Sequence, residues 1–159
     1  MIKRRLNREL YFKEQDYTTE KYVVPYISTF KKIDANSRVL EIGCGEGGNL
    51  KYFIDLECEV VGVDLNAQQL KRAEGFIEKH CKTNDNVQLI YKDIYKVDVD
   101  EIGQFDIIMM RDVIEHIPNQ ERFIQFLHKF IKHDGVIFFG LPPWYMPFGG
   151  HQQVAKNKL

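Results

Sequence analysis

The chain has 159 residues, with 22 basic against 23 acidic side chains and a formal net charge of −1. That length suits one domain and is short for a cofactor domain plus a separate substrate domain, while the balanced charge leaves no footprint for nucleic acid. No apolar run approaches the ~18 residues of a membrane span, and "MIKRRLNREL" carries basic residues with no apolar stretch behind them, so neither a span nor a secretory signal is expected and the cytoplasm is the expected location. Cys44, Cys58 and Cys81 are too few and too far apart for a disulfide framework. No CxxC or HxxxH spacing accompanies them, so they read as free thiols and no metal site is expected.

Residues 1–36 form a charged and aromatic segment that reads helical in two pieces, with Pro25 as a kink or helix start. We take it as an N-terminal helical cap, and the basic cluster Lys3, Arg4, Arg5 and Arg8 as a solvated helix face. From residue 38 onward, short apolar runs alternate with helix-period segments, the pattern of crossover units on a parallel sheet. The strands are "RVLEIG" (38–43), "EVVGVDL" (59–65), "VQLIYKDI" (87–94), "FDIIMM" (105–110) and "GVIFFGL" (135–141). Their Val, Ile and Phe content fits a sheet covered on both faces. Between them, Leu50, Phe53 and Ile54 line one helical face, and Leu70, Ala73 and Ile77 line a second that opens with the reciprocal cap Asn66 and Gln69. Pro118 in a first turn, followed by Phe123, Phe126, Leu127, Phe130 and Ile131, marks a third helix.

The stretch "VLEIGCGEGGNL" (39–50) is the first strand-to-helix turn, where an open parallel sheet makes its main ligand contact. Glycines at 43, 45, 47 and 48 let backbone approach a ligand, and a helix starting near Gly47 aims N–H groups at it. A phosphate loop of the GxxxxGK[ST] type fails because Asn49 stands where lysine must be. A dinucleotide remains open: Gly43, Gly45 and Gly48 satisfy GxGxxG, with Asp64 about twenty residues on. Charge favours a third class, since Glu41 and Glu46 flank the loop with no Lys or Arg before Lys51, which suits a zwitterion with a positive centre better than a pyrophosphate.

Glu41, Gly43, Gly45 and Gly47 as E-x-G-x-G-x-G, then "VVGVDL", then "IYKDI", together resemble the class I S-adenosylmethionine-dependent methyltransferases over residues 37–143. The resemblance implies an α/β, doubly wound, mostly parallel sheet with S-adenosyl-L-methionine as cofactor. It also implies roles. Glu41, Gly43, Gly45 and Gly47 would form the methionine-binding floor, with Cys44 contributing mainly backbone. Asp64 would accept the ribose hydroxyls with Leu65 against the adenine. Asp93 would take the adenine amino group with Ile94 beside it, and Arg111 would be a backbone contact under the cofactor. Read without the family, Asp64 is a helix cap and Asp93 a solvated strand end.

Methyl transfer from a sulfonium is an in-line displacement, so placement matters most and a general base helps when the acceptor loses a proton. "DVIEHI" resembles a stretch lining the reaction-site entrance in the family's small-molecule enzymes. Among Asp112, Glu115, His116, Tyr145 and His151, the first candidate base is His116, with His151 second; a histidine merely packed at a helix start is the bland reading of His116. His128 and His133 read as surface residues. Residues 144–159, from "LPPWYMPFGGHQQ", are read as a lid with an aromatic wall. No NPPY-type signature, which in this family would imply a nucleic-acid base or a protein amide as acceptor, follows the fourth strand, so a small-molecule acceptor is expected. The family fold has seven strands, but the chain stops eight residues past His151, so the last two are expected to be lacking. Either the chain is a fragment, or the fifth strand's edge is covered by the N-terminal segment, the lid or a second copy in a homodimer. Two other functions stay open: an NAD(P)-dependent oxidoreductase, and a cofactor-binding module without turnover.

Overall fold

Apolar residues on both faces of successive strands demand cover on both sides, and the chain supplies it with helices from alternate crossovers. The computed structural model describes residues 7–141. In chain order these hold α1 (Arg8–Thr18), α2 (Val24–Ser28), β1 (Arg38–Ile42), α3 (Lys51–Asp55), β2 (Glu59–Asp64), α4 (Ala67–His80), β3 (Val87–Tyr91), α5 (Val99–Ile102), β4 (Phe105–Arg111), α6 (Gln120–Leu127) and β5 (Ile131–Gly140). The five strands form one sheet in the order β3-β2-β1-β4-β5, with every neighbouring pair parallel. Winding therefore reverses between β1 and β4, and the carboxyl ends of β1, β2 and β4 open onto the crevice where such sheets bind ligands.

Val39, Val60, Ile107 and Met109 point to one face, where Leu50 and the buried side of α3 and α4 (Phe53, Ile54, Leu70, Ala73, Ile77) meet Val23, Val24 and Ile27 of the N-terminal segment. Leu40, Ile42, Val61, Val63, Ile108 and Met110 point to the other, under Ile102 of α5 and Phe123 and Leu127 of α6. The two helical faces read from residues 50–54 and 70–77 are thus core, and Cys44, Cys58 and Cys81 are free thiols.

Several boundaries differ from the sequence reading. α6 is capped by Asn119, in a left-handed conformation, so Pro118 lies outside the helix. Ile131 is no helical residue: it pairs with Phe105 and begins β5 four positions before residue 135. A register irregularity between Phe105 and Ile107 absorbs the mismatch, with Gly135 set where a Cβ would lie 3.0 Å from the Phe105 carbonyl oxygen. β3 stops at Tyr91, because Asp93 caps a 3-10 turn at Ile94–Lys96. Asn66 caps α4 by accepting from the N–H groups of Gln68 and Gln69, but its own N–H donates to Asp64 and not to Gln69, so the cap is one-sided.

The N-terminal segment is helical in two pieces as read, joined through a π-helical turn at Thr19–Val23, with Pro25 at the start of the second piece. A residue inserted in this way widens one turn and is frequent beside functional sites. No helix among the described residues is long and apolar enough to cross a membrane.

Candidate functional site

The turn after β1 begins with Gly43 and Gly45 at positive φ, held by N–H donation from Gly43 to the Val63 carbonyl at 2.7 Å and from Gly45 to Asp64 Oδ2 at 2.8 Å. Asp64 Oδ1 accepts from the Asn66 N–H at 2.7 Å. The carboxylate at the end of β2 therefore ties the glycine turn to the start of α4 and is held in place before any ligand arrives. On the next strand over, Asp93 Oδ1 accepts from the Tyr95 N–H at 3.0 Å. Of the two aspartates, the bland reading made Asp64 a helix cap and Asp93 a solvated strand end; the helix cap is instead Asn66, from whose N–H Asp64 accepts, and it is Asp93 that caps a turn.

They also share a cleft. A cavity of about 280 Å³ is lined by Gly43, Asp64, Leu65, Asp93, Ile94 and His116, together with Ile42, Val63, Tyr95, Asp112, Val113 and neighbouring residues. Leu65 is 70% exposed and so presents bare apolar surface at the cleft mouth. Asp112, at φ 56, is a non-glycine residue in the left-handed region, a strained conformation at the end of β4. His116 sits in a 3-10 turn, Ile114–His116, and is solvent-exposed. His151, Tyr145 and the aromatic segment after Leu141 lie outside the described residues.

The remaining predicted cofactor residues do not line this cleft. Gly47, at φ 79, and Gly48, read as bare backbone for a ligand, also make room for packing. A Cβ on Gly47 would meet Ile77 and Ala73 of α4, and one on Gly48 would lie 2.6 Å from the Phe12 carbonyl oxygen of α1. The helix after the loop opens at Lys51, not near Gly47. Gly48→Ala is accordingly expected to lift α1 off the loop, costing about 1–3 kcal/mol of stability, read as a lowered midpoint in thermal unfolding. Cys44 is buried in the core with its thiol pushed well above the usual range by burial, followed by the nearby Glu41 and Asp64 charges. It offers backbone only: its N–H donates to the Val63 carbonyl at 3.3 Å.

Glu46 corrects the charge argument made from sequence. Its side chain is fully buried and takes Arg8 Nε on both oxygens, at 2.8 and 2.9 Å, and Arg72 Nε at 2.5 Å. Neither arginine is near it in sequence, yet together they neutralise it. Glu41 is the acidic group that stays under-compensated. It is fully buried at the end of β1, with Oε1 accepting from Asn49 Nδ2 at 2.6 Å and Oε2 accepting no hydrogen bond. Burial pushes its carboxyl up to about 8, against the opposing pull of the Asn49 hydrogen bond and the Arg111 charge. Arg111, at the end of β4, donates through Nη1 to Asn49 Oδ1 at 2.6 Å and to Thr19 Oγ1 at 3.4 Å. These contacts run through its guanidinium; the family resemblance implied a backbone contact at this position.

Asn49 and Thr19 are the residues that sequence reasoning missed. The one signal was an amide at position 49, between the glycines and the helical stripe Leu50, Phe53 and Ile54.

With this geometry in view, comparison with known proteins defines the class. A family model described as "Methyltransferase domain" matches residues 15–148. Sterol 24-C-methyltransferase of Debaryomyces hansenii is 30% identical over 116 residues, covering 72% of this chain and 30% of that protein. (S)-tetrahydroprotoberberine N-methyltransferase of Eschscholzia californica is 30% identical over 133 residues, 80% of this chain and 37% of its own length. The structure of PKMT2 from Rickettsia typhi in complex with AdoHcy superposes with a TM-score of 0.62 at 27% identity, over 71% of this chain and 23% of that one. The chain belongs to the methyltransferase-domain family, of the class I S-adenosylmethionine-dependent kind. It spans about a third of the length of the curated relatives it matches.

Proposed function

We propose that this chain holds S-adenosyl-L-methionine in the crevice at the strand ends, and that the protein it represents transfers the methyl group to a small-molecule acceptor. The observation that carries the reading is the convergence of Asp64 and Asp93, at the ends of adjacent parallel strands, on one cleft with His116. The donor set fits the cofactor. Asp64 has lone pairs left for a ribose diol after its two backbone bonds, and Leu65 and Ile94 offer apolar surface for a purine. Asp93 accepts one N–H and keeps a second oxygen for an exocyclic amine. Glu41 Oε2, buried and unbonded, calls for a donor or cation that none of the described residues supplies.

When bound, the cofactor supplies an electrophilic methyl group on a sulfonium. The chain's own part is to place the acceptor in line with that group and to remove its proton where the acceptor has one to lose. We assign that proton to His116, on the cleft wall, with His151 as the second candidate. His116→Gln is expected to lower the transfer rate by roughly 10²-fold or more while leaving cofactor affinity within about twofold, since a base contributes to the chemical step and not to cofactor binding. Transfer of labelled methyl groups to a metabolite extract by the whole protein reads the first quantity and calorimetry the second. An unchanged rate would remove His116 from the mechanism.

The same reading takes residues 1–36 as a cap on the core at 37–143 and 144–159 as an acceptor lid. The cap is supported by the Arg8–Glu46 pair and by the close approach of Phe12 to Gly48. We further take the protein to be cytoplasmic and, on the balance of its charges, to have no nucleic-acid partner. A homodimer remains our suggestion for the outer edge of β5, which among the described residues pairs with β4 alone; light scattering would give its mass.

A further inference from the structure

The acid Glu41 and the base Arg111 stand at the ends of neighbouring parallel strands, yet no ion pair among the described residues joins them. Asn49 stands between. Its Nδ2 donates to Glu41 Oε1 and its Oδ1 accepts from Arg111 Nη1, both at 2.6 Å, and the Thr19 hydroxyl donates to the same Oδ1 at 3.1 Å. Asn49 is 2% exposed, so these contacts define its surroundings. A neutral amide satisfies both neighbours at once, giving N–H to the carboxylate and C=O to the guanidinium. An aspartate here would set like charges together. A leucine would leave both neighbours unpaired and let them close on each other.

The outcome of this arrangement is a carboxylate with one open oxygen and, a short distance away, a guanidinium whose Nε and Nη2 make no hydrogen bond to the described residues. We propose that Asn49 is a positioning residue for the amino-acid end of the cofactor: its amide keeps Glu41 and Arg111 from pairing with each other, holding the Glu41 carboxyl group, which an ammonium beside it would ionise, for that ammonium and the guanidinium for a carboxylate. This rests on the cofactor reading above and adds to it a residue and a polarity. The nucleoside end, at Asp64 and Asp93, lies outside the network. Loss of Asn49 therefore falls on recognition of the amino-acid group alone.

The test is calorimetry on the full chain with two ligands, S-adenosylhomocysteine and 5′-methylthioadenosine, which shares the nucleoside and sulfur but has no ammonium or carboxylate. Wild type is compared with Asn49→Leu and with the nearly isosteric Asn49→Asp, each checked for a cooperative melt. Both variants are expected to lose at least roughly tenfold in affinity for S-adenosylhomocysteine and less than about threefold for methylthioadenosine. If Asn49→Leu does not fold, Asn49→Asp carries the comparison; failure of both to fold marks a purely structural residue and overturns the proposal. Equal losses for the two ligands, or no loss, overturn it as well. A wild-type chain that binds both ligands equally overturns this inference while sparing the nucleoside site. A folded wild-type chain that binds neither overturns the cofactor reading itself.

Discussion

Replacing Asp64 with alanine is expected to weaken binding of S-adenosylhomocysteine by roughly 100-fold or more, at about 1.5–3 kcal/mol for each hydrogen bond to a charged acceptor. The effect has two sources. The carboxylate would hold the ligand's ribose, and it already holds the backbone N–H groups of Gly45 and Asn66, so its loss loosens the glycine turn and the start of α4 together. Asp64→Asn keeps one oxygen acceptor and so one of the two backbone bonds, while its amide NH2 faces the other N–H; it is expected to fall between wild type and alanine both in affinity and in melting temperature. Calorimetry and thermal unfolding on the three chains check this; an alanine variant that binds like wild type would place the ligand elsewhere.

The second large effect concerns stability without ligand. The Glu41 carboxyl ordinarily titrates near 4.5, but in the folded chain it holds its proton up to about 8. Between those values the folded chain binds a proton that the unfolded chain has released, so stability falls as pH rises through this window. At about 1.4 kcal/mol for each unit of displacement, the loss across the window is on the order of a few kcal/mol. Glu41→Gln removes the titrating group and is expected to flatten this fall, leaving the variant more stable than wild type at pH 8 and similar at pH 5. Urea unfolding of both chains at the two pH values measures it. A variant that loses stability at pH 8 would show that the ionised carboxylate is satisfied by partners other than Asn49.

Much of the fold was legible because its signals are local. Runs such as "EVVGVDL" and "FDIIMM" sit under cover on both faces, and the spacing of Leu70, Ala73 and Ile77 marks the buried side of α4. Boundaries were lost where tertiary contact overrode pattern. Ile131 continues the apolar stripe of α6 but is captured by pairing with Phe105, and Pro118, read as part of the first turn, lies ahead of the cap Asn119. At the site, Asp64 was legible from its spacing after the glycines and Asp93 through the family resemblance, and both line the cleft. Glu46 was misjudged because its counter-charges, Arg8 and Arg72, lie 38 and 26 residues away. The same distance hid the roles of Gly48, which makes room for α1, and of Asn49, whose two charged neighbours meet only once β1 and β4 are side by side.

The cofactor reading is tested most directly by the melting temperature of the folded chain with S-adenosylhomocysteine or NADH at equal concentration. At about 100 times its dissociation constant, a ligand of the folded state adds roughly 2.7 kcal/mol, a rise of several degrees for a domain of this size. S-adenosylhomocysteine should produce that rise and NADH none. A larger rise with NADH, or no rise with S-adenosylhomocysteine in a chain that melts cooperatively, would contradict the account.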